Sequence, residues 1–200
     1  AASYPWVNTA DVKFDPPKFK VDLRCEISES GKVTASIDDA LAVWLAECIE
    51  KETPSGKYQE IYAAELPYFE EDGMMIFRST LNRDGKNKRT GESWTNKIAF
   101  FDAKAKPVPS TQLPKIGGGS LLRVNAELNT WAMPDVTGGR GQPKITNLKV
   151  GVSLRIKSVQ IIEARQQAAE VSAASQGFGE EEGFAYDPDS FDSADTDDNF

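Results

Sequence analysis

From Phe19 to Ile27 apolar and polar residues alternate: Phe19, Val21, Leu23, Cys25 and Ile27 are separated by Lys20, Asp22, Arg24 and Glu26. A period of two belongs to a strand with one buried face, so a first strand is placed here. The spacing then lengthens. Ile37, Leu41, Trp44, Leu45, Cys48 and Ile49 recur at helical intervals, so Ile37 to Lys51 is read as a helix. Ser36 is its expected N-cap, with Asp38 and Asp39 in a first turn where the helix dipole favours acids. Thr53-Pro54-Ser55-Gly56 stops it. Tyr58 to Phe69, rich in aromatics and interrupted by Pro67, fits neither period and reads as irregular or part helix.

Beyond Met74 the texture is that of strands. Met74 to Asn82 and Ser93 to Asp102, separated by the basic run Arg83 to Gly91, are expected to form a hairpin. Lys104 to Pro114 is a proline-punctuated connection leading through Gly117-Gly118-Gly119 into a strand from Leu121 to Trp131. Pro134 to Pro143, which holds Gly138, Gly139 and Gly141, reads as a flexible loop, and Leu148 to Glu163 as the last strand. One helix among about five strands predicts an all-β chain folded as a small, partly open, five-stranded barrel capped by that helix. The triple glycine suits a strand bending at a barrel corner. A phosphate-binding loop would need a following helix and a Lys-Ser/Thr pair, and neither is present.

Charge divides the chain further. The net charge of −8 over 200 residues is uneven: residues 1–72 carry −8, 73–176 carry +9 and 177–200 carry −9 without a single Lys or Arg. An acidic, polar terminal stretch cannot bury enough apolar surface to offset its ordering entropy, so 177–200 is expected to be a disordered tail. The expected organisation is a domain over 1–165, a small-residue linker over 166–176 and this tail. No apolar run approaches the roughly 20 residues that span a bilayer, and the first residues carry no secretion signal, so a cytosolic setting is expected. Histidine is absent, which excludes Ser-His-Asp and Cys-His catalysis and imidazole metal sites. Cys25 and Cys48 read as small buried hydrophobes.

Binding a single nucleic-acid strand without base preference needs cations that track phosphates and aromatic faces on which bases stack. The +9 region has both. Its candidate contacts are Arg78, Lys97, Lys104, Lys106, Arg123, Arg140, Lys144, Lys149 and Arg155, with Trp94 and Trp131 as stacking candidates. Alternation assigns Phe77 to the core, leaves Trp94 on either side, and sets Trp131 at a strand end beside the glycine loop, where an indole reaches solvent. The acids Glu65, Glu70, Glu71 and Asp72 are contiguous, as a solvated edge is, and do not converge from separate elements as metal ligands do. No catalysis, metal or cofactor is expected.

Three segments carry a family resemblance. Pro114-Lys115-Ile116-Gly117-Gly118-Gly119-Ser120-Leu121-Leu122-Arg123-Val124 resembles the single-stranded DNA-binding proteins of T-odd podophages. Phe101-Asp102-Ala103-Lys104-Ala105-Lys106 is similar to that family's strand ending in Asp-x-Lys-x-Lys, and Val150 to Glu163 to its closing strand. The acidic end with terminal Phe200 also resembles the family, and the likeness runs from about Lys18 to Ala164 plus the tail. It implies an OB-fold and non-sequence-specific coating of single-stranded DNA in phage replication and recombination, in the cytoplasm of an infected bacterium. It also implies a tail, here Asp195, Asp197, Asp198 and Phe200, that recruits the phage polymerase and helicase. A homodimer is left open. By position Arg78 matches a DNA-contacting lysine and Trp131 lies among the binding aromatics of the family. Thr80 stands where a stacking tyrosine is expected, and residues 1–12 lack a lysine seen near the family's N-terminus.

Two other classes fit parts of the pattern. An acidic-tailed chaperone for a basic partner would use the tail and leave the +9 region without a role. An RNA-binding OB module of cold-shock type would show denser aromatics on adjacent strands.

Overall fold

The computed structural model describes residues 2–87, 89–137 and 145–165, with Tyr4 through its backbone alone. All fall in the first of the chain's two units, Ala1–Gln167. The expected linker and tail, and with them Arg140, Lys144, Asp195, Asp197, Asp198 and Phe200, lie outside the described residues. Among the described residues no helix is long and apolar enough to cross a membrane.

The described residues form ten strands and one long helix: β1 (Ala2–Asp11), β2 (Lys18–Glu26), α1 (Ile27–Glu52), β3 (Ile61–Ala63), β4 (Tyr68–Glu71), β5 (Met74–Asn82), β6 (Asp84–Lys86), β7 (Ser93–Thr95), β8 (Ala99–Phe101), β9 (Leu121–Thr137) and β10 (Ile145–Glu163). The main sheet runs β1-β2-β5-β10-β3, with β4 added to β5 and both β8 and β9 added to β10. This five-strand path, enlarged by three attached strands, curls into the expected half-barrel with one helix.

The strand from Lys18 is as predicted, and Phe19 and Val21 are buried in the barrel interior. The helix differs. It starts at Ile27, directly from β2, and Glu26 caps it with no side-chain hydrogen bond. Ser36 is therefore not an N-cap but sits mid-helix, its Oγ donating to the Lys32 carbonyl at 2.9 Å. Ser30 and Thr34 do the same towards Ile27 and Ser30 or Gly31. Hydroxyls satisfied by the preceding turn accompany the helix through this stretch, in which Ser30 alone is buried. From Ile37 onward the helix is held by packing, against Phe77, Val152 and Leu154. Asp38, far from the first turn, accepts a 2.7 Å hydrogen bond from the Tyr68 hydroxyl.

The expected hairpin of 74–82 with 93–102 is not formed, because both edges of β5 are occupied. Over Met74–Phe77 it lies between β2 and β4, and Ser79 and Thr80 lie between β2 and β10. The basic run instead folds on itself as the small β6–β7 sheet, while β8 joins β10 in parallel. Tyr58 to Phe69, expected to be irregular or part helix, supplies β3 and β4, short strands held at the flanks of longer ones. β1 has no counterpart in the sequence reading. The segment from Pro134 is no loop at first: β9 continues to Thr137, with Pro134 opposite Leu148. Among the described residues β9 pairs only with β10, so the amide that proline lacks is not needed on its other edge.

β10 organises the core. Leu148, Val150, Val152, Leu154 and Ile156 are buried, and a bulge between Ile156 and Ser158 shifts the parity so that Val159 and Ile161 continue the inward face. Its first half meets α1: Ile37 packs with Phe77, Val152 and Leu154, and Cys48 with Leu148 and Val150. Its second half fills the barrel with Phe19, Val21, Leu81, Phe100 and Leu122. Cys48 is buried and Cys25 half-buried, and both are free thiols.

Glycines 117–119 form a clasp rather than a strand bend. Gly117 N–H donates to the Arg165 carbonyl and Gly119 N–H to the Ala2 carbonyl, while Ala2 N–H donates to Ser120. Buried Ser120 Oγ donates to Gly117 and accepts from Arg165 N–H at 3.0 Å. Gly119 has φ of +83°, which only glycine adopts cheaply. The clasp ties the start of β1 to the exit of β10.

Since Ile37 is fully buried between α1 and β10, Ile37→Ala should lower unfolding stability by about 2–5 kcal/mol. A urea titration with an unchanged midpoint would show that α1 is not docked as described.

Candidate nucleic-acid interface

Register fixes which side chains share the face of the sheet opposite α1 and the barrel interior. On β2 and β5 the pairs Lys18↔Asn82, Lys20↔Thr80 and Asp22↔Arg78 lie on it. The parallel pair Arg155↔Thr80 carries this outer face onto β10. The pairs Arg155↔Glu127, Ser153↔Asn129, Gly151↔Trp131 and Lys149↔Met133 extend it over β9. Arg78, Arg155, Trp131 and Lys149, distant in the chain, are thus gathered on one face.

Arg123 lies further along it, opposite Gln160. There Gln160 Nε2 donates to the carbonyls of Asp102 at 3.1 Å and Ala103 at 3.3 Å. Asp102 Oδ1 in turn accepts the backbone N–H groups of Lys104 and Lys106, both at 2.8 Å. The Asp-x-Lys-x-Lys turn is therefore docked beside Arg123 with both ammonium groups exposed. Trp94 and Lys97 stand apart, on and just after the β6–β7 sheet. Asn96 fastens it to the end of β5 by bonds to the Asn82 and Arg83 carbonyls. Phe77 is buried, as expected; Trp131 is half-buried and mid-strand rather than at a strand end.

Several residues on this face were not nominated from the sequence. Lys18, Lys20 and Arg24 alternate with buried Phe19 and Val21, so the period that defined the strand already placed them together. Phe14, 41% exposed, lies under both Lys18 and Lys20, whose Nζ atoms are 5.3 and 5.2 Å from its ring centroid. With Asp22, Arg78 and Thr80 they line a shallow hollow. Trp6, opposite Lys20 and 41% exposed, lines a second hollow with Arg24, Lys115 and the glycine clasp. No local periodicity marks Phe14 or Trp6.

Acids already hold part of the charge on this face. Arg78 forms a two-point contact with Asp22, Nε–Oδ1 3.1 Å and Nη2–Oδ2 2.9 Å, and stands over the Phe69 ring at 5.3 Å. The Asp22 hydrogen bonds raise the already high pKa of the guanidinium. Arg24 pairs with Glu71, and Lys20 lies 2.9 Å from buried Asp11. Lys18, Lys149 and Arg155 form no ion pair with a described residue. Exposed pairs contribute only about 0–1 kcal/mol, and in the Arg78–Asp22 pair the guanidinium is the exposed member and the carboxylate the covered one. Among the described residues no group of three or more acids or cysteines is placed to hold a metal ion, and Glu71, from the acidic run, is taken by Arg24.

Aromatic rings and cations along one face of a curled sheet are the features with which proteins hold a single nucleic-acid strand. The family model "Single-stranded DNA-binding protein, Bacteriophage T7" matches residues 1–163, and the chain belongs to that family. Among solved structures, gp2.5, a single-stranded DNA binding protein encoded by bacteriophage T7, is similar at TM-score 0.66 and 20% identity, over 85% of this chain and 93% of that chain. The likeness shows a shared fold. A C-terminally truncated single-stranded DNA-binding protein from bacteriophage Enc34 is similar at TM-score 0.46 and 11% identity, over 82% of each chain. The Enc34 protein in complex with single-stranded DNA gives 0.41 and 12%, over 82% of this chain and 83% of that one. No curated protein sequence matches the chain.

The Asp11 carboxyl is held below its ordinary value, first by the hydrogen bond from Lys20 and then by the Lys13 N–H. A lowered carboxyl stabilises the fold above its unfolded value near 4, and that contribution is lost as pH falls through the lowered folded value. Asp11→Asn should therefore unfold at lower urea than the parent at pH 7, with the difference shrinking as the pH is lowered through and below the ordinary carboxylate range. A difference that does not shrink as the pH falls would show that the Asp11 charge is not what holds Lys20.

Proposed function

We propose that the chain binds single-stranded DNA with little base preference along the outer face of β2, β5, β10 and β9, coating it during phage replication and recombination in the cytoplasm of the infected host. The observation that carries this reading is the gathering of Lys18, Arg78, Arg155 and Lys149 with Phe14 and Trp131 on one face, in a chain of this family. Cations track the phosphates and rings receive the bases, a combination that a duplex, with its base faces hidden, can satisfy only by charge. Arg123, Lys104 and Lys106 continue the track at one end, and Trp94 and Lys97 offer separate contacts at the β6–β7 sheet. Arg140 and Lys144, in the sequence between β9 and β10, remain candidate phosphate contacts on their charge. The function is binding rather than catalysis.

Residues 1–165 are the binding domain, 166–176 a linker, and 177–200 the segment that recruits polymerase and helicase, with Asp195, Asp197, Asp198 and Phe200 as its contacts. An acidic stretch set with aromatics suits basic pockets on replication partners, and Phe200 adds specificity that charge alone lacks. Self-association as a homodimer is compatible with this arrangement. Removing 177–200 should abolish capture of both partners and leave strand binding in place; capture by the truncated chain would take recruitment away from the tail.

Fluorescence titration with oligo-dT and with duplex of matched length tests the reading, with the single strand bound much more tightly. Arg78→Ala should reduce the slope of log affinity against log salt by about 0.7, the share of one phosphate contact on a single strand. Equal affinity for both forms of DNA, with the slope unmoved, would overturn it.

A further inference from the structure

Two of the four tryptophans are seated in the same way. Trp131 on β9 faces Gly151 on β10, and Trp94 on β7 faces Gly85 on β6. A Cβ added at Gly151 would lie 2.3 Å from Trp131 Cζ2 and 2.5 Å from Cε2; one added at Gly85 would lie 2.0 and 2.4 Å from the same atoms of Trp94. Each indole therefore occupies the space where any other residue would carry its side chain. Neither glycine is among those with positive φ, so backbone conformation does not call for glycine at either position. Glycine within a strand weakens it, which leaves the room it makes for the ring as its use.

We infer that Gly151 and Gly85 are positioning residues: each lets a tryptophan lie against the opposite strand with its other face turned outward, as a preset platform for one base of the bound strand. The inference rests on the proposed function and adds residues that touch no DNA themselves. A ring fixed before DNA arrives loses less freedom on binding than a mobile one, which favours affinity. The surroundings suit a nucleotide. On β10 the same-face neighbours of Gly151 are Lys149 and Ser153, so a base stacked on Trp131 has a cation beside it for its phosphate. Trp94 is 41% exposed, with Lys86 in the adjoining cross-strand pair and Lys97 exposed just beyond.

The alternative is that each indole merely shields glycine backbone, as aromatics do across a strand pair. Oligo-dT titrations of the full chain separate the two. Gly151→Ala should weaken binding by about 5- to 150-fold, the range of one lost stack, and reduce quenching of indole fluorescence. In a Trp131→Ala background the same change should have no further effect, because nothing is left to displace. Trp131→Phe, which keeps a ring face over Gly151, should stay within a few fold of the parent, whereas Trp131→Leu, which covers the glycine without a ring, should bind as weakly as Trp131→Ala. Gly85→Ala should act through Trp94 in the same manner. Parent affinity in Gly151→Ala, an equal loss with and without Trp131, or Leu matching Phe would overturn the inference. The Phe and Leu comparison decides it even if Gly151→Ala fails to fold. A parent chain that ignores oligo-dT would overturn the proposed function beneath it, a different result from binding that survives these substitutions.

Discussion

β10 is the constraint on which the rest depends. One long strand pairs with β9 along its length on one edge, and with β3, β5 and β8 in succession on the other. Its inward residues are buried from Leu148 to Ile161. With both edges filled and one face committed to α1 and the barrel, only the outer face can meet a ligand. That face is polar: Lys149, Gly151, Ser153 and Arg155 follow one another at alternate positions. The strand that builds the core therefore also sets the spacing of the candidate phosphate and base contacts.

The same geometry explains how a chain of net charge −8 can carry a polyanion site. Acids are not excluded from the outer face; Asp11, Asp22 and Glu71 hold Lys20, Arg78 and Arg24 in place. The Asp22 and Glu71 pairs keep long side chains extended across the sheet while contributing little stability of their own, whereas Asp11 is buried. On the proposed function, a phosphate meets a preset cation and competes with a carboxylate for it. Binding of this kind is sensitive to salt through both exchanges, cation to phosphate and cation to carboxylate.

How much was readable beforehand follows from the range of each interaction. The alternation in β2, the helical spacing of Ile37 to Ile49 and the runs that became β5, β9 and β10 are local, and their element types were evident. The helix start was not, because Ser28 to Ser36 lacks the apolar spacing that marks Ile37 to Ile49, and its hydroxyls bond back to carbonyls of the preceding turn rather than capping. Nor was the partner of β5, since strand pairing depends on which edges remain open rather than on the chain between two strands. Of the candidate site, Arg78, Trp131, Lys149 and Arg155 were named one by one as cations and rings in a basic region. Their common face came only with register. Phe14 and Trp6 carry no periodic signal, and their place under Lys18 and Lys20 or beside the glycine clasp is wholly tertiary.

The central claim is that the strand lies on the outer face and not on the side of α1. Lysine acylation read by mass spectrometry, with and without saturating oligo-dT, tests it directly. Lys18 and Lys149, with Lys104 and Lys106, should lose reactivity when DNA is bound, while Lys32 and Lys51, exposed on α1, should not change. Protection of Lys32 and Lys51 with Lys18 and Lys149 left reactive would contradict the account.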